Sequence, residues 1–138
     1  IMYRLIDLNI PFIYSSLHTS YKMLRERRDI VQRMVAAFAE IIYFVEKNPD
    51  KAKASIGKAM RTKDPEALQS AYDTYARDIL DRTMVVPGKA VAETVALARE
   101  EGAPIRKKPE EIYDNTFVNN LEKSGFLKEI WGNEPYKR

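Results

Sequence analysis

Cysteine is absent from this 138-residue chain, and the absence excludes several classes of protein. Without thiols there is no disulfide scaffold, no thiolate-bound zinc and no cysteine nucleophile. Histidine is almost as scarce, because His18 is the only one. A metal site would have to be built from carboxylates, so we expect neither a metal site nor a cofactor.

Glycine is also scarce, and its five copies are isolated, which excludes a glycine-rich phosphate loop. No apolar run reaches the roughly 18 residues needed to cross a bilayer, and no signal peptide is recognisable. The net charge of +3 is spread over mixed stretches such as Arg25 to Asp29. Nucleic-acid binders concentrate basic residues on one face, so we expect no nucleic acid as a partner.

What is present begins with two segments that have the composition of short β-strands. Tyr3 to Asp7 is the first, and Phe12 to His18, which follows Pro11, is the second. Both contain aromatic or aliphatic residues that favour strands. Since the chain begins directly in a strand-like pattern, we expect that further sequence precedes it.

Proline marks the start of several predicted helices. Pro49 follows Asn48 and Pro65 follows Asp64, so a capping side chain precedes a residue that needs no N–H in the first turn. Helices are expected to fill the rest of the chain. They are predicted at Thr19–Arg27, Asp29–Lys47, Pro49–Arg61, Pro65–Leu80 and Pro87–Glu101, with a turn from Pro109 and a last helix at Asn115–Ser124.

The helix predicted over Asp29–Lys47 is apolar around most of its circumference. Its main stripe recurs at steps of three and four residues: Ile30, Met34, Phe38, Ile41 and Val45. A second set widens the apolar face: Val31, Val35 and Ile42. This pattern predicts the central buried helix of the domain.

Tyrosines and phenylalanines at helical spacing give two further expectations. Tyr72 and Tyr75 lie on an apolar stripe and are predicted to be core residues. Tyr43 and Phe44 are adjacent in the central helix and cannot share one face. One of them is therefore expected to line a second contact surface.

Candidate catalytic groups do not converge in the sequence. A serine–histidine–carboxylate triad would have to use His18 with Ser15 or Ser16, which lie too close along one strand to act as nucleophile and base. The adjacent acids Glu110 and Glu111 diverge on a helix and are expected to be solvated. We therefore predict no catalytic residues and no enzymatic activity.

The order of the segments, rather than any single site, resembles a known family. The segments that carry the resemblance are Ile10-Pro11-Phe12, Leu17-His18-Thr19-Ser20, Met23-Leu24, Asp29-Ile30-Val31-Gln32-Arg33-Met34, Ala37, Glu40, Asn48-Pro49-Asp50-Lys51-Ala52, Thr62-Lys63-Asp64-Pro65-Glu66-Ala67-Leu68, Tyr72, Asp114-Asn115-Thr116-Phe117 and Leu121-Glu122-Lys123-Ser124-Gly125-Phe126. Together they resemble the nitrate/sulfonate/taurine-type periplasmic solute-binding proteins of ABC importers, which include relatives that bind thiamine pyrimidine precursors.

The resemblance implies a fold and a position within it. Family members are considerably longer, so residues 1–138 would be one C-terminal piece of a two-lobed α/β protein of periplasmic-binding-protein type II. This piece would be mainly α with one or two short β-strands, comprising a strand and crossover segment at 1–18 and a helical part at 19–138. The ligand or hinge residues of this piece would then be Tyr14, Ser15, Ser16 and His18.

The resemblance also implies a function and partners. The protein would capture a small solute, such as an anion, a sulfonate or a pyrimidine-like molecule, in the cleft between lobes and deliver it to a membrane permease. It would be periplasmic or membrane-anchored and extracytoplasmic. The alternative is a stand-alone helical protein-interaction module with exposed apolar faces. An enzyme on the same scaffold is a third hypothesis. Because the two strands lack neighbours, we also expect a homodimer by strand exchange.

Overall fold

The structure is a computed structural model that describes Ile13 and residues 15–136, apart from the side chain of Arg77. All regular secondary structure in these residues is helical, and none of them lies in a strand. The predicted fold class, a mainly α piece with short strands from an α/β lobe, is therefore wrong, since the described chain is all-α. The first predicted strand, Tyr3 to Asp7, lies outside the described residues.

The second predicted strand, Phe12 to His18, is irregular where the structure describes it. Residues 15–18 are exposed coil, and Ser20 then caps the first helix by accepting a hydrogen bond from the Met23 amide at 3.1 Å. A strand needs a neighbour to pair with, and the described residues supply none. A homodimer by strand exchange stays a prediction, but the described residues of this segment contain no strand that could be exchanged.

The helices follow the predicted boundaries closely, with one addition. They are α1 (Tyr21–Glu26), α2 (Arg28–Lys47), α3 (Pro49–Met60), α4 (Pro65–Asp73) continuing into a π-helical segment (Thr74–Ile79), α5 (Gly88–Glu100), a 3₁₀ turn (Pro109–Glu111), α6 (Thr116–Lys123) and α7 (Phe126–Trp131). Helix α7 was not predicted, because six residues give too short a pattern to recognise.

The chain divides into two compact units. One contains residues 19–84 and those from Phe117 onward, and the other contains residues 85–116 with the described residues up to His18. The predicted division into residues 1–18 and 19–138 is not tested by this grouping and stays a prediction.

The larger unit is built around one face of α2. Its main core joins residues of α2, α6 and α7: Val31, Val35, Ala39, Ile42, Phe117, Val118, Leu121, Leu127 and Trp131. A smaller cluster of Ala52, Tyr72 and Ala76 joins α3 to α4 and the π-helical segment. The prediction for Tyr72 is confirmed, and its hydroxyl donates to the Val45 carbonyl at 3.2 Å. The prediction for Tyr75 is wrong, because its side chain is exposed.

The smaller unit is organised by α5 and by side-chain contacts to the backbone. Arg99 donates to the carbonyls of Ile105 at 3.1 Å and Lys107 at 2.8 Å, so it holds the loop that follows α5. Asn115 accepts from the Val86 amide at 2.9 Å and donates to the Val86 carbonyl at 3.0 Å. These pairs fix the ends of an otherwise loop-rich segment.

Candidate protein-interaction surface

Helix α2 has two apolar faces, and only one of them is buried. Val35 and Ile42 belong to the core. Met34, Ile41 and Phe44 on the other side are 52%, 49% and 44% exposed. Large apolar side chains at about half exposure along a single helix form a patch that solvent does not favour.

Four exposed residues and the half-buried Ile30 form a continuous apolar stripe. We define the outer stripe as five residues of α2: Ile30, Met34, Ala37, Ile41 and Phe44. At 100° and 1.5 Å per residue they lie within about 40° of one line and span about 21 Å. Their spacing of four, three, four and three residues is the a/d pattern by which two helices pack together.

The outer stripe corrects the prediction for this helix. Met34 and Ile41 were predicted to be core residues, and both are exposed. The set expected only to widen the core, which includes Val35 and Ile42, is the buried one. Both sets satisfy helical periodicity equally well. The packing of α6 and α7 decides between them, and the α2 sequence contains no information about that packing.

The two edges of the outer stripe differ in charge. One edge carries Arg33, Glu40 and Lys47, whereas the other carries the half-buried Phe38 and Val45. Arg33 forms an ion pair within its own helix, with 3.3 Å between its Nη2 and an Asp29 carboxylate oxygen. Glu40 is exposed, and the described part of the chain places no ion-pair partner beside it. The stripe is thus bordered by charge on one side only.

Contacts to α6 hold the N-terminal half of α2 in place. The Gln32 side chain donates to the Phe117 carbonyl at 3.0 Å and accepts from the Asn120 amide at 3.1 Å. The Arg28 guanidinium lies over the Phe117 ring, 4.5 Å from its centroid. Gln32 and Arg28 lie on the side of α2 opposite the outer stripe, so these contacts leave the stripe uncovered.

Arg82 fixes the C-terminal half of α2. Its Nε donates to both carboxylate oxygens of Glu46 at 3.1 Å, and its Nη1 donates to the Pro135 carbonyl at 2.7 Å. Its guanidinium also lies 4.2 Å from the centroid of the Trp131 ring. The hydrogen bond to Glu46 raises the pKa of Arg82 above its usual value. Arg82 therefore joins α2, α7 and the C-terminal segment and stays charged.

A second contact reinforces this end of the helix. Lys47 donates a hydrogen bond to Glu134, and this bond lowers the pKa of the Glu134 carboxyl below its usual value. Tyr43 packs edge-on against Trp131, with 5.1 Å between ring centroids. Phe44, the next residue, points to the exposed side. The prediction that Tyr43 and Phe44 occupy different surfaces is confirmed, and α2 is anchored at both ends.

The residues predicted to bind ligand or form a hinge do not form a pocket where they are described. Tyr14 lies outside the described residues, and Ser15, Ser16 and His18 are exposed. Ser16 Oγ lies 2.9 Å from His18 Nε2, so a serine and a histidine do meet. The contact is exposed, and the described residues supply no carboxylate to orient the ring as a triad requires. Their roles in solute binding stay predictions.

One groove lies between the end of α3 and the start of α4. It is open, has a volume of about 550 Å³, and is lined by Ala54, Gly57, Lys58, Arg61, Thr62, Lys63 and Leu68. The basic side chains are exposed. Asp64 accepts hydrogen bonds from the Glu66 and Ala67 amides at the first turn of α4, so those donors are occupied. This groove is not a formed anion site.

The described residues contain neither a metal-binding cluster nor a membrane-spanning helix. No group of histidine, aspartate and glutamate residues there is arranged to hold a metal ion. No helix among them combines the length and hydrophobicity needed to cross a membrane.

Comparison with known proteins found no match: no family model, no curated protein and no solved structure matches the chain. The resemblance to the nitrate/sulfonate/taurine-type binding proteins therefore stays a prediction.

The surface that sequence reasoning missed is the outer stripe. Met34 and Ile41 were recognised as apolar, but they were assigned to the core. No signal within α2 separates the two faces, because both stripes have charged neighbours: Arg33 and Glu40 lie beside the outer one, and Arg28 and Glu46 lie beside the buried one.

Proposed function

We propose that this protein is a helical interaction module that binds a protein partner through the outer stripe of α2. The observation that carries the proposal is the half-exposed state of Met34, Ile41 and Phe44 on a helix whose opposite face is fully packed. Covering an apolar patch of this kind is favourable, and helix-on-helix packing is a common means of doing so. The flexible Met34 side chain also adapts well to a partner surface.

The anchoring of α2 supports this proposal. Arg82 and Gln32 fix opposite ends of the helix through α7 and α6. A partner therefore meets a surface that is already ordered, which reduces the entropy lost on binding. A mobile helix would have to order itself first, at the expense of affinity.

Solute capture for an importer stays a prediction, as do the permease as a partner, the extracytoplasmic location and the lack of enzymatic activity. That function depends on a cleft between two sheet-bearing lobes. The described residues contain no sheet, so the structure provides no support for it. The interaction module needs only the helical surface.

The proposal is tested by photo-crosslinking in the cell that produces the protein. A benzophenone amino acid replaces Met34 in one variant and Met60 in another, because both side chains are about equally exposed and Met60 lies on α3. We expect adducts with protein from position 34 and not from position 60. We further expect these adducts to disappear when Ile41→Lys is added, because a charged side chain in the outer stripe opposes its burial against a partner.

Four results would refute the proposed function. The first three are the absence of adducts at position 34, equal adducts at positions 34 and 60, and adducts at position 34 that survive Ile41→Lys. An adduct between position 34 and another residue of the same chain would also refute it, since the chain would then cover its own stripe.

A further inference from the structure

We infer that the partner of the outer stripe is a second copy of this chain, bound with the two α2 helices antiparallel. The inference rests on the proposed function and names the partner for the same surface. It is carried by charge complementarity, because the single charged edge of the stripe contains Arg33 and Glu40 one heptad apart. In a dimer with a two-fold axis, every contact between the two copies occurs twice. Arg33 and Glu40 can therefore form two ion pairs, one in each direction.

The spacing of the outer stripe defines a register for this dimer. With the two-fold axis beside the middle of α2, between Val35 and Ala36, Ile30 lies opposite the partner's Ile41. Met34 then lies opposite the partner's Ala37, whose small side chain leaves room for the longer one. Two apolar layers on each side of the axis fill the seam, in the alternation that knobs-into-holes packing requires.

The same register matches the charged edge. Arg33 lies beside the partner's Glu40, and Glu40 lies beside the partner's Arg33. Arg33 also forms an exposed ion pair with Asp29 of its own helix at 3.3 Å. Glu40 is exposed and has no ion-pair partner among the described residues of its own chain. The dimer would therefore satisfy a carboxylate that the described monomer leaves to solvent.

Other arrangements of the same two stripes lack this match. Sliding the antiparallel helices by one heptad places Glu40 beside the partner's Glu40 and Arg33 beside the partner's Lys47, and like charges repel. In a parallel pair, the charged edge of each helix meets the apolar edge of the other, which carries Phe38 and Val45. No ion pair forms in that case, so charge favours the antiparallel register.

The size of the stripe predicts a weak dimer. A length of about 21 Å and a helix width of about 10 Å give roughly 200 Å² on each protomer, compared with about 800 Å² per partner in a standard interface. Burial of about 400 Å² in total at about 25 cal/mol/Å² gives about 10 kcal/mol, and association costs about 4 kcal/mol or more, so we expect a dissociation constant of roughly 10–100 µM. Exchange between monomer and dimer should be rapid.

The first test is sedimentation equilibrium of the full chain and its charge variants, at concentrations from about ten-fold below to ten-fold above that range. Arg33→Glu and Glu40→Arg each create two like-charge contacts, so each alone should dimerise roughly ten-fold more weakly than the wild type. Mixed together, the two variants regain both ion pairs and should form a heterodimer of about wild-type affinity. As a control, circular dichroism at low protein concentration checks that each variant keeps the helix content of the wild type.

The second test establishes orientation. Because the chain has no cysteine, Ile30→Cys and Ile41→Cys provide unique thiols. Oxidation of a mixture should yield the disulfide between positions 30 and 41, because a disulfide needs Cα atoms within about 7 Å. Homodimers linked 30 to 30 or 41 to 41 would instead indicate parallel helices and would overturn the inference.

The outcomes separate this inference from the proposed function. A wild-type chain that stays monomeric throughout, or a charge-variant mixture no more associated than its components, overturns the homodimer. If position 34 nevertheless crosslinks to another protein in the cell, the proposed function stands and only the second copy is wrong. If position 34 forms an adduct of twice the chain mass, and this adduct is lost when Ile41→Lys is added, the result supports both the proposed function and the homodimer.

Discussion

Two adjacent isoleucines of α2 should differ sharply in their contribution to stability. Ile42 is 4% exposed within the main core, and Ile41 is 49% exposed on the outer stripe. Ile42→Ala removes three buried carbons, which costs about 2.4 kcal/mol in transfer free energy. A residual cavity brings the expected loss to about 3 kcal/mol. Ile41→Ala loses about half of that burial, about 1.2 kcal/mol, and gains up to about 0.7 kcal/mol from the better helix propensity of alanine, so we expect a loss of only about 0.5–1 kcal/mol.

Urea unfolding followed by tryptophan fluorescence measures this difference. Trp131 is the only tryptophan and lies in the same core as Ile42, so its emission reports the relevant unit. The protein is kept at about 1 µM, below the range in which the homodimer is expected. Equal losses of unfolding free energy in the two variants, or a larger loss for Ile41→Ala, would show that the assignment of the two faces is wrong.

Three further variants test the contacts that hold the larger unit together. Arg82→Lys keeps the charge but loses the paired bonds to Glu46, so we expect a loss of about 1–2 kcal/mol in the same assay. An unchanged midpoint of urea unfolding would contradict the stabilising role of the Arg82 contacts. The lowered pKa of Glu134 means that its contribution is present above pH 4.5, the ordinary value, and is lost as pH falls through the folded-state value. Glu134→Gln should therefore lose less stability on acidification than the wild type, and identical pH profiles would contradict this. Gly57→Ala would place a Cβ 2.9 Å from the Thr62 carbonyl oxygen, so it should lower the melting temperature although alanine favours helix; a higher melting temperature would refute the clash.

Much of the helical framework could be predicted because local chemistry determines where helices begin. Pro49 and Pro65 sit at first-turn positions, and Asp64 accepts hydrogen bonds from the Glu66 and Ala67 amides as a capping residue should. Ser20 likewise caps α1. Such signals involve residues only two or three positions apart, so a single sequence contains them completely.

The errors occurred where distant residues decide the outcome. A strand was predicted over Phe12 to His18 because its residue types favour strands, but a strand also requires a pairing neighbour. The core face of α2 was assigned to Met34 and Ile41 because periodicity identifies apolar stripes without saying what covers them. Neither requirement can be evaluated from the segment itself.

The candidate surface could be predicted only in part. The contrast between Tyr43 and Phe44 follows from the helical period and is confirmed by the contact of Tyr43 with Trp131. The role of Arg82 could not be predicted, since it joins Glu46, Trp131 and Pro135 from distant parts of the sequence. A network of this kind exists only after the chain has folded.

The measurement that tests the account most directly is the reactivity of one introduced thiol. Ala37→Cys places the thiol in the middle of the outer stripe, and Ala59→Cys places an equivalent exposed thiol on α3. In the dilute purified protein both should react rapidly with maleimide. Inside the cell that produces the protein, we predict that the thiol at position 37 reacts measurably more slowly than in the dilute protein, because a bound protein covers it, while position 59 is unaffected. Equal rates at the two positions in the cell would contradict the claim that the outer stripe of α2 is a contact surface.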